Sequence, residues 1–158
     1  MISKIKHYTY LTVDELYDAL QLRVDGFIVR NKVCYQDLED KYDKHQYWML
    51  WYHKDVMVGV NALCDRKTFY GDNGVSYRYP AFRRQAWRSD YKGGCTKRDL
   101  TKGKEFCMKQ WGSPRMMCEI TYEGGKQPFL DFGFKEVGTN IDSAGRTNWI
   151  FGYEPDTY

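Results

Sequence analysis

The segment from residue 88 to residue 97 combines glycines with positive charge in a way that could bind phosphate. It reads RSDYKGGCTK and lies between an expected strand at 81–87 and an expected helix at 96–111. A glycine-containing turn that leads into a helix presents backbone N–H groups to an anion, and nearby lysines add positive charge. The candidate phosphate-binding residues are Lys92, Gly93, Gly94, Cys95, Thr96 and Lys97.

A carboxylate within an apolar strand could carry out proton transfer. Glu119 lies in the run MMCEIT at 116–121. A carboxylate that is partly withdrawn from water can act as a general base. The strand pattern also allows a Glu119 side chain that faces solvent or a sheet edge, and it would then have no catalytic role.

Two further groups of residues have weaker chemical signals. Cys95 lies beside lysines at a helix start, which would lower the pKa of its thiol, but no histidine lies near it to act as a base. We therefore favour no nucleophilic role for Cys95. An acidic stretch could line a site for a cationic acceptor, although we favour a solvated loop. Its carboxylates are Asp37, Glu39, Asp40 and Asp43.

Positive charge is concentrated in the middle of the chain. Residues 78–109 carry a net charge of +7, whereas the rest of the chain carries −4. Arginines there alternate with aromatic residues, a composition that suits single-stranded nucleic acid, although neighbouring strand residues point to opposite faces. The charge indicates an anionic partner, such as a nucleotide-like cofactor, a nucleic acid or an acidic protein, or else a solvated cationic surface.

The composition predicts a single domain in a reducing compartment. A chain of 158 residues with 42% apolar residues forms one core, and we expect one domain over 1–158. No apolar run approaches the roughly 18 residues of a membrane helix, and the first ten residues lack a signal core. Five cysteines without a C-x-x-C pair indicate reduced thiols, so we expect a cytoplasmic protein. The three histidines lack ligand spacing, so we expect no metal.

Hydrophobic periodicity predicts the element order β-α-β-β-β-α-β-α-β-β. Thr12 and Glu15 form a capping box that begins the first helix. The order of elements predicts an α/β domain with a mixed sheet. Strands are expected at 2–10, 47–52, 56–63, 81–87, 115–121, 134–137 and 148–153, and loops at 32–46 and 68–76. Helices are expected from 13 to an end between 26 and 31, at 96–111, and within 124–132 from Pro128 onward.

Three stretches resemble the GNAT superfamily of acyl-CoA N-acyltransferases, and its ElaA-type members most closely. They are ELYDALQLRVDGFIV at 15–29, CYQDLED at 34–40 and FGFKEVG at 132–138. The resemblance implies a twisted, mostly antiparallel mixed sheet with a splayed central parallel pair and flanking helices.

The resemblance also implies a co-substrate and a set of site residues. In this family the acyl-pantetheine arm pairs with exposed strand backbone, which here falls on Ala86, Trp87 and Arg88. The pyrophosphate would contact the 92–97 turn, where Cys95 and Lys97 replace family glycines. Phe129 occupies the position of the family's proton-donating tyrosine, beside the cofactor. The resemblance therefore implies acetyl-CoA or another acyl-CoA as co-substrate, Glu119 as the base and Tyr122 as a substitute acid.

A second and weaker resemblance is to the acyl-homoserine-lactone synthases, which share the GNAT fold. Four positions and one dipeptide carry it, although Leu38 stands where those enzymes have their first acidic residue. They are Arg23, Phe27, Asp40, Tyr42-Asp43 and Arg66.

These resemblances lead to one functional hypothesis and two alternatives. We expect an acyl-CoA-dependent N-acyltransferase. Its acceptor would be a primary amine of a small molecule, protein or peptide, and this amine would attack the acyl thioester directly. The alternatives are a GNAT-fold binding protein with reduced catalysis, which would engage a protein or nucleic acid through its basic middle, and an enzyme like the acyl-homoserine-lactone synthases. We expect no membrane partner, and we rank a nucleic-acid partner below an amine acceptor. The sequence leaves open whether the protein forms a homodimer.

Overall fold

Strands and helices alternate along the chain as an α/β arrangement. The computed structural model describes residues 1–91 and 95–154. In this part of the chain, the strands are β1 Ile2–His7, β2 Tyr47–His53, β3 Val56–Tyr70, β4 Ser76–Trp87, β5 Met116–Ile120, β6 Phe134–Ile141 and β7 Thr147–Tyr153. The α-helices are α1 Val13–Arg23, α2 Asp40–Asp43, α3 Cys95–Trp111 and α4 Gln127–Phe132.

The strands form one mixed sheet with the order β1-β2-β3-β4-β5-β7-β6. Strands β1 and β2, β2 and β3, β5 and β7, and β6 and β7 pair antiparallel. Strands β4 and β5 are parallel, with Ala81 opposite Met117 and Phe82 opposite Cys118. The predicted fold class, a mostly antiparallel mixed sheet with a central parallel pair and flanking helices, is therefore confirmed.

The backbone contacts divide the chain into two compact units. The first unit contains Met1–Cys64 and Arg83–Gly93, and the second contains Asp65–Phe82 and Gly94–Tyr158. Strands β3 and β4 each contribute residues to both units.

The first unit has an apolar core between α1 and its strands. The predicted capping box begins α1: Thr12 Oγ1 accepts from the Glu15 amide at 3.1 Å, and Glu15 Oε2 accepts from the Thr12 amide at 3.0 Å. The helix then turns one face inward, so its apolar side chains leave water together with those of the strands. The buried cluster contains Ala19, Leu22, Trp48, Leu50, Met57, Val60 and Ala86.

The second unit has α3 and α4 beside the last strands. Helix α3 agrees with its predicted range to one residue, and its Leu100 and Cys107 are buried. Helix α4 has a proline in its first turn, where the missing N–H is not needed. It ends at Gly133, whose φ of 109° lies in the left-handed region that favours glycine.

Several predicted boundaries were wrong: α1 ends at Arg23, where a π-helix over Val24–Val29 follows, β6 continues to Ile141, and local contacts explain the bounds of β1, β3 and β4. Strand β1 ends at His7, because residues 8–10 turn into a short 3₁₀ helix whose Tyr8 amide donates to Gln46 O at 3.0 Å. The predicted loop at 68–76 is shorter, since the Gly71 amide donates to Val75 O at 2.9 Å and closes a tight turn. Strand β3 therefore continues to Tyr70, and β4 begins at Ser76.

None of the helices in the described part of the chain combines the length and apolar character that crossing a bilayer requires.

Candidate functional site

The end of β4 places three of the predicted cofactor-binding residues in the first unit. The Trp87 ring packs directly on Gly59, where an added Cβ would lie 2.6 Å from the ring. Trp51 stacks at a tilt beside it, with ring centroids 5.8 Å apart. Ala86 is buried in the apolar core. A side chain at position 59 would therefore displace the ring that fixes this strand end.

The backbone at Trp87 and Arg88 already has partners. The Arg88 amide donates to Val58 O at 2.9 Å, and Arg30 Nη2 donates to Trp87 O at 2.6 Å. A carbonyl has two lone pairs, so Trp87 O can accept a second hydrogen bond. The Arg88 side chain pairs with exposed Asp90, with Nη2 to Oδ2 at 2.6 Å. Sequence reasoning missed Arg30, which lies 57 residues from Trp87.

The predicted phosphate-binding turn falls partly outside the described residues. Lys92, Gly93 and Gly94 lie outside them, whereas Cys95, Thr96 and Lys97 form the start of α3 in the second unit. Burial, followed by the negative charge of Asp99, raises the pKa of Cys95, although Arg98 acts in the opposite direction. The lowered thiol pKa suggested by the sequence is therefore wrong, which agrees with our rejection of Cys95 as a nucleophile.

Glu119 in β5 forms an ion pair in the second unit. Its Oε1 lies 3.2 Å from Lys67 Nζ in β3, and the two side chains are 25% and 19% exposed. Lys67 Nζ also lies 4.9 Å from the centroid of the Phe69 ring. The carboxylate is thus partly withdrawn from water beside a cation, while a quarter of the side chain stays exposed to solvent. Nothing in the sequence links Lys67 to Glu119, because 52 residues separate them.

The thiol of Cys118, next to Glu119 in β5, is unreactive. Burial, and then the negative charge of Glu119, raises the pKa of Cys118 well above its ordinary value. Cys118 therefore stays protonated at neutral pH and packs as a small apolar residue. Glu119 is the remaining ionisable side chain of β5.

Tyr122 and Phe129 have opposite surroundings in the second unit. Tyr122 is 66% exposed, and its ring lies over the turn at Gly124, where an added Cβ would be 2.6 Å from it. Phe129 is only 7% exposed and packs edge-on against Phe134, with ring centroids 5.6 Å apart. Phe129 has no proton to donate and belongs to the core, whereas the Tyr122 hydroxyl is accessible.

The acidic connection at 32–46 is a buried ion cluster in part, and not simply a solvated loop. Arg23 Nε lies 2.9 Å from Asp37 Oδ2, and its Nη1 lies 3.0 Å from Asp43 Oδ1, with all three side chains buried. Burial alone would lower the pKa of Arg23, but hydrogen bonds from it to Asp43 and Asp37 and their negative charges raise it overall. Asp40 stays exposed, as a solvated loop would require.

Two consecutive arginines of β4 extend this cluster. Arg83 donates to Glu39 at 3.1 Å and to Gln46 at 3.0 Å, and Arg84 contacts the same oxygen of Glu39. Neighbours on a regular strand point to opposite faces, but Arg84 has a φ of 54° and breaks the alternation. Burial first of all lowers the pKa of Arg83, although Glu39 counteracts it. Sequence reasoning could not find this pair, because it assumed a regular strand.

No group of three His, Cys, Asp or Glu side chains within residues 1–91 and 95–154 could bind a metal ion. Of the site predicted from sequence, the structure brings Ala86, Trp87 and Arg88 together in the first unit. It places Cys95, Thr96, Lys97, Glu119, Tyr122 and Phe129 in the second.

Known structures share this fold over the full length of the chain. Escherichia coli ElaA is 20% identical with a TM-score of 0.77, and the match covers 98% of this chain and 100% of ElaA. An acyl-CoA N-acyltransferase from Pseudomonas aeruginosa is 19% identical with a TM-score of 0.73, over 98% of this chain and 100% of that one. The acyl-homoserine-lactone synthase LasI is 14% identical with a TM-score of 0.67, over 96% and 88%.

No protein-family model matches the chain, and no curated protein matches its sequence. The similarity is therefore one of fold. The chain has the GNAT fold, as the motifs at 15–29, 34–40 and 132–138 predict.

Proposed function

We propose that this protein is an acyl-CoA-dependent N-acyltransferase that transfers an acyl group, with acetyl as the first candidate, to a primary amine. The observation that carries the proposal is the full-length similarity in fold to an acyl-CoA N-acyltransferase. The half-buried, accessible carboxylate of Glu119 supports it, because acyl transfer to an amine needs a base. The amine would belong to a small molecule, a protein or a peptide.

The co-substrate would bind through backbone and cationic groups. In the proposal, Ala86, Trp87 and Arg88 contact the pantetheine arm, and Trp87 O accepts from the arm in addition to Arg30. The pyrophosphate would be bound by Lys92, Gly93, Gly94, Cys95, Thr96 and Lys97. Amides at the start of a helix of 17 residues favour an anion, and the lysines add charge-assisted hydrogen bonds.

The proposed reaction is a direct displacement at the thioester. Glu119 takes a proton from the acceptor ammonium, and the free amine attacks the thioester carbonyl. The C–N bond forms, the C–S bond breaks, and the second proton that the nitrogen loses passes to the CoA thiolate through Tyr122 or water.

Replacing the base tests the proposal. We expect Glu119→Gln to lower kcat by about 10²- to 10⁴-fold, the usual contribution of general base catalysis, with no change in the Kd for acetyl-CoA. Release of the CoA thiol from acetyl-CoA, measured with polyamines, lysine and short peptides as acceptors, gives the rate. The matched control is Glu136→Gln, which removes a surface ion pair of β6 and should leave kcat unchanged. A full rate in Glu119→Gln would exclude Glu119 as the base.

A second candidate is a GNAT-fold binding protein that does not catalyse transfer. The burial of Phe129 favours it, because the position of the family's tyrosine acid has no hydroxyl and belongs to the core. Its partner would be a protein or a nucleic acid bound by the basic middle of the chain. Binding of acetyl-CoA does not test this candidate. It predicts instead that no amine acceptor leads to release of the CoA thiol from acetyl-CoA.

A further inference from the structure

An open cavity of about 550 Å³ lies within the second unit. It is formed near the start of β4 and by the turn between α3 and β5, together with residues of β3 and β6. Its volume falls in the range of roughly 300 to 1,000 Å³ that is usual for small-molecule sites. Of the described residues proposed above to bind acyl-CoA or transfer protons, none lines this cavity.

The turn after α3 gives the cavity a fixed wall. Gly112 adopts a φ of 63°, and its amide donates to Met108 O at 3.0 Å, which ends the helix. Ser113 Oγ then donates to Arg115 O at 3.0 Å and accepts from the Arg115 amide at 3.3 Å. A wall that is already hydrogen-bonded loses little conformational entropy when a ligand binds.

Two ion pairs in the lining cancel their own charges. Arg66 Nε lies 3.7 Å from Asp65 Oδ1, and Arg115 Nε lies 3.6 Å from Glu154 Oε1. These four side chains therefore contribute no net charge to the cavity.

Two further cations remain, Arg78 and Lys135. Both side chains are exposed, and neither makes a hydrogen bond or an ion pair with another of the described residues. They leave the cavity with a side-chain charge of +2. The carboxyl end of α3 contributes about −0.5 of a charge, which is too small to reverse the sign. The cavity therefore favours a ligand with about two negative charges.

Aromatic rings form the apolar part of the lining. Trp111 packs edge-on against Phe106, with ring centroids 5.3 Å apart. The Tyr79 hydroxyl accepts from Arg115 Nη1 at 2.6 Å, and the guanidinium carbon lies 5.2 Å from the Tyr79 ring. Because Trp111 and Tyr79 are already positioned, a planar ring can stack on them at a small ordering cost.

The geometry points to a binding site for a phosphate monoester that carries a planar ring. A phosphate monoester has a charge of about −1.5 to −2 at pH 7, which matches the uncompensated charge of the cavity. Arg78 and Lys135 bind the phosphate oxygens, and Trp111 and Tyr79 contact the ring. Arginine suits this role because its planar fork binds phosphate in a bidentate manner.

Titration of the full chain with phenyl phosphate tests the site by calorimetry. We expect phenyl phosphate to bind at least about tenfold more tightly than inorganic phosphate, and phenol to give no measurable heat. Arg78→Gln and Lys135→Gln should each weaken phenyl phosphate at least about tenfold, through the loss of a charge-assisted hydrogen bond. Lys109→Gln, an exposed lysine of α3 outside the cavity, is the matched control and should bind as the wild type does.

A second measurement separates this site from the proposed acyl-CoA site. We expect the Trp111 indole resonance to shift on addition of phenyl phosphate, whether or not acetyl-dephospho-CoA, which lacks the 3′-phosphate monoester, is present. Displacement of phenyl phosphate by acetyl-dephospho-CoA would overturn the inference. So would equal affinities for phenyl phosphate and inorganic phosphate, unchanged binding in Arg78→Gln, or no wild-type binding at about 10 mM ligand. The substitutions lie on the surface, so an unchanged Tm shows that each variant is folded.

Discussion

At the scale of single residues, the chain places its charges in two kinds of surroundings. Arg23, Asp37 and Asp43 are buried together, where an ion that loses its partner is costly because water cannot replace it. Glu119 and Lys67 remain partly accessible to water. The first group suits a structural role, and proton transfer is our proposal for the second.

Removing one member of the buried cluster tests its structural role. Asp43 accepts from Arg23, from Gln46 and from the Glu39 amide, so Asp43→Asn should lower the free energy of unfolding by about 3–5 kcal/mol. Urea unfolding followed by circular dichroism gives the value. Asp40→Asn is the matched control in the same helix, because its carboxylate is exposed and should contribute less than about 1 kcal/mol. Equal losses in the two variants would contradict the structural role of Asp43.

The residue scale is also where sequence reasoning reached its limit. The partners of Arg23 lie 14 and 20 residues away, and those of Glu119 and Trp87 lie 52 and 57 residues away. No local pattern encodes such distances, because the fold brings these residues together. The left-handed backbone of Arg84 was equally hidden, since arginine is not a residue type that indicates a positive φ.

At the scale of elements, sequence motifs predicted the structure where its hydrogen bonds join residues that are close together in the chain. The capping box of Thr12 and Glu15 predicts the start of α1, because its hydrogen bonds span only three residues. The expected strands at 47–52 and 56–63 leave only three residues for the turn between them, and Lys54 and Asp55 adopt the left-handed conformations that a tight hairpin turn needs. Turn lengths were less predictable, as the shortened loop at 71–75 shows.

The capping box makes part of the stability depend on pH. Burial alone would raise the pKa of Glu15, but hydrogen bonds from Lys6 and from the Thr12 amide lower it overall. The folded state therefore binds fewer protons than the unfolded state near pH 4. The contribution of Glu15 is complete above the unfolded pKa of about 4.3, and it is lost as the pH falls through the lower folded pKa.

Glu15→Gln should remove this acid-sensitive contribution. We expect its free energy of unfolding to differ from the wild type by about 0.5–2 kcal/mol at pH 7 and by less at pH 3, since the wild type has then lost the same interaction. Urea titrations at both pH values give the difference. Glu105→Gln, which removes the surface ion pair between Lys102 and Glu105 on α3, serves as the control. A difference in the free energy of unfolding that grows on acidification would contradict the assignment of this pH dependence to Glu15.

A close backbone approach joins β6 to the turn after β3. A Cβ at Gly138 would lie 2.9 Å from Gly71 Cα, and the Asp72 amide donates to Val137 O at 3.1 Å. Gly138→Ala should lower Tm and cost about 1–3 kcal/mol, because backbone has to move. Thr139→Ala, at the exposed neighbouring position, should cost less than about 1 kcal/mol. Calorimetric melting of both variants shows whether the contact between Gly138 and the Gly71 backbone tolerates an added Cβ.

At the scale of the whole molecule, the order of elements carries the main functional argument. The predicted mixed sheet is confirmed, the predicted order of elements holds apart from the added short helix α2, and the fold is shared with ElaA and with an acyl-CoA N-acyltransferase at 20% identity or less. At this identity the fold restricts the chemistry but does not assign it, because one fold supports many functions. The proposed activity therefore depends on whether the chain binds an acyl-CoA.

Calorimetric titration with acetyl-CoA tests that claim most directly. We predict that the wild-type chain binds acetyl-CoA, that Lys92→Ala weakens binding at least about tenfold through loss of a phosphate contact, and that Lys109→Ala on α3 does not change it. The absence of binding at millimolar acetyl-CoA would contradict the proposed acyltransferase, and equal affinities in the wild type and Lys92→Ala would contradict the assignment of the 92–97 turn to the pyrophosphate.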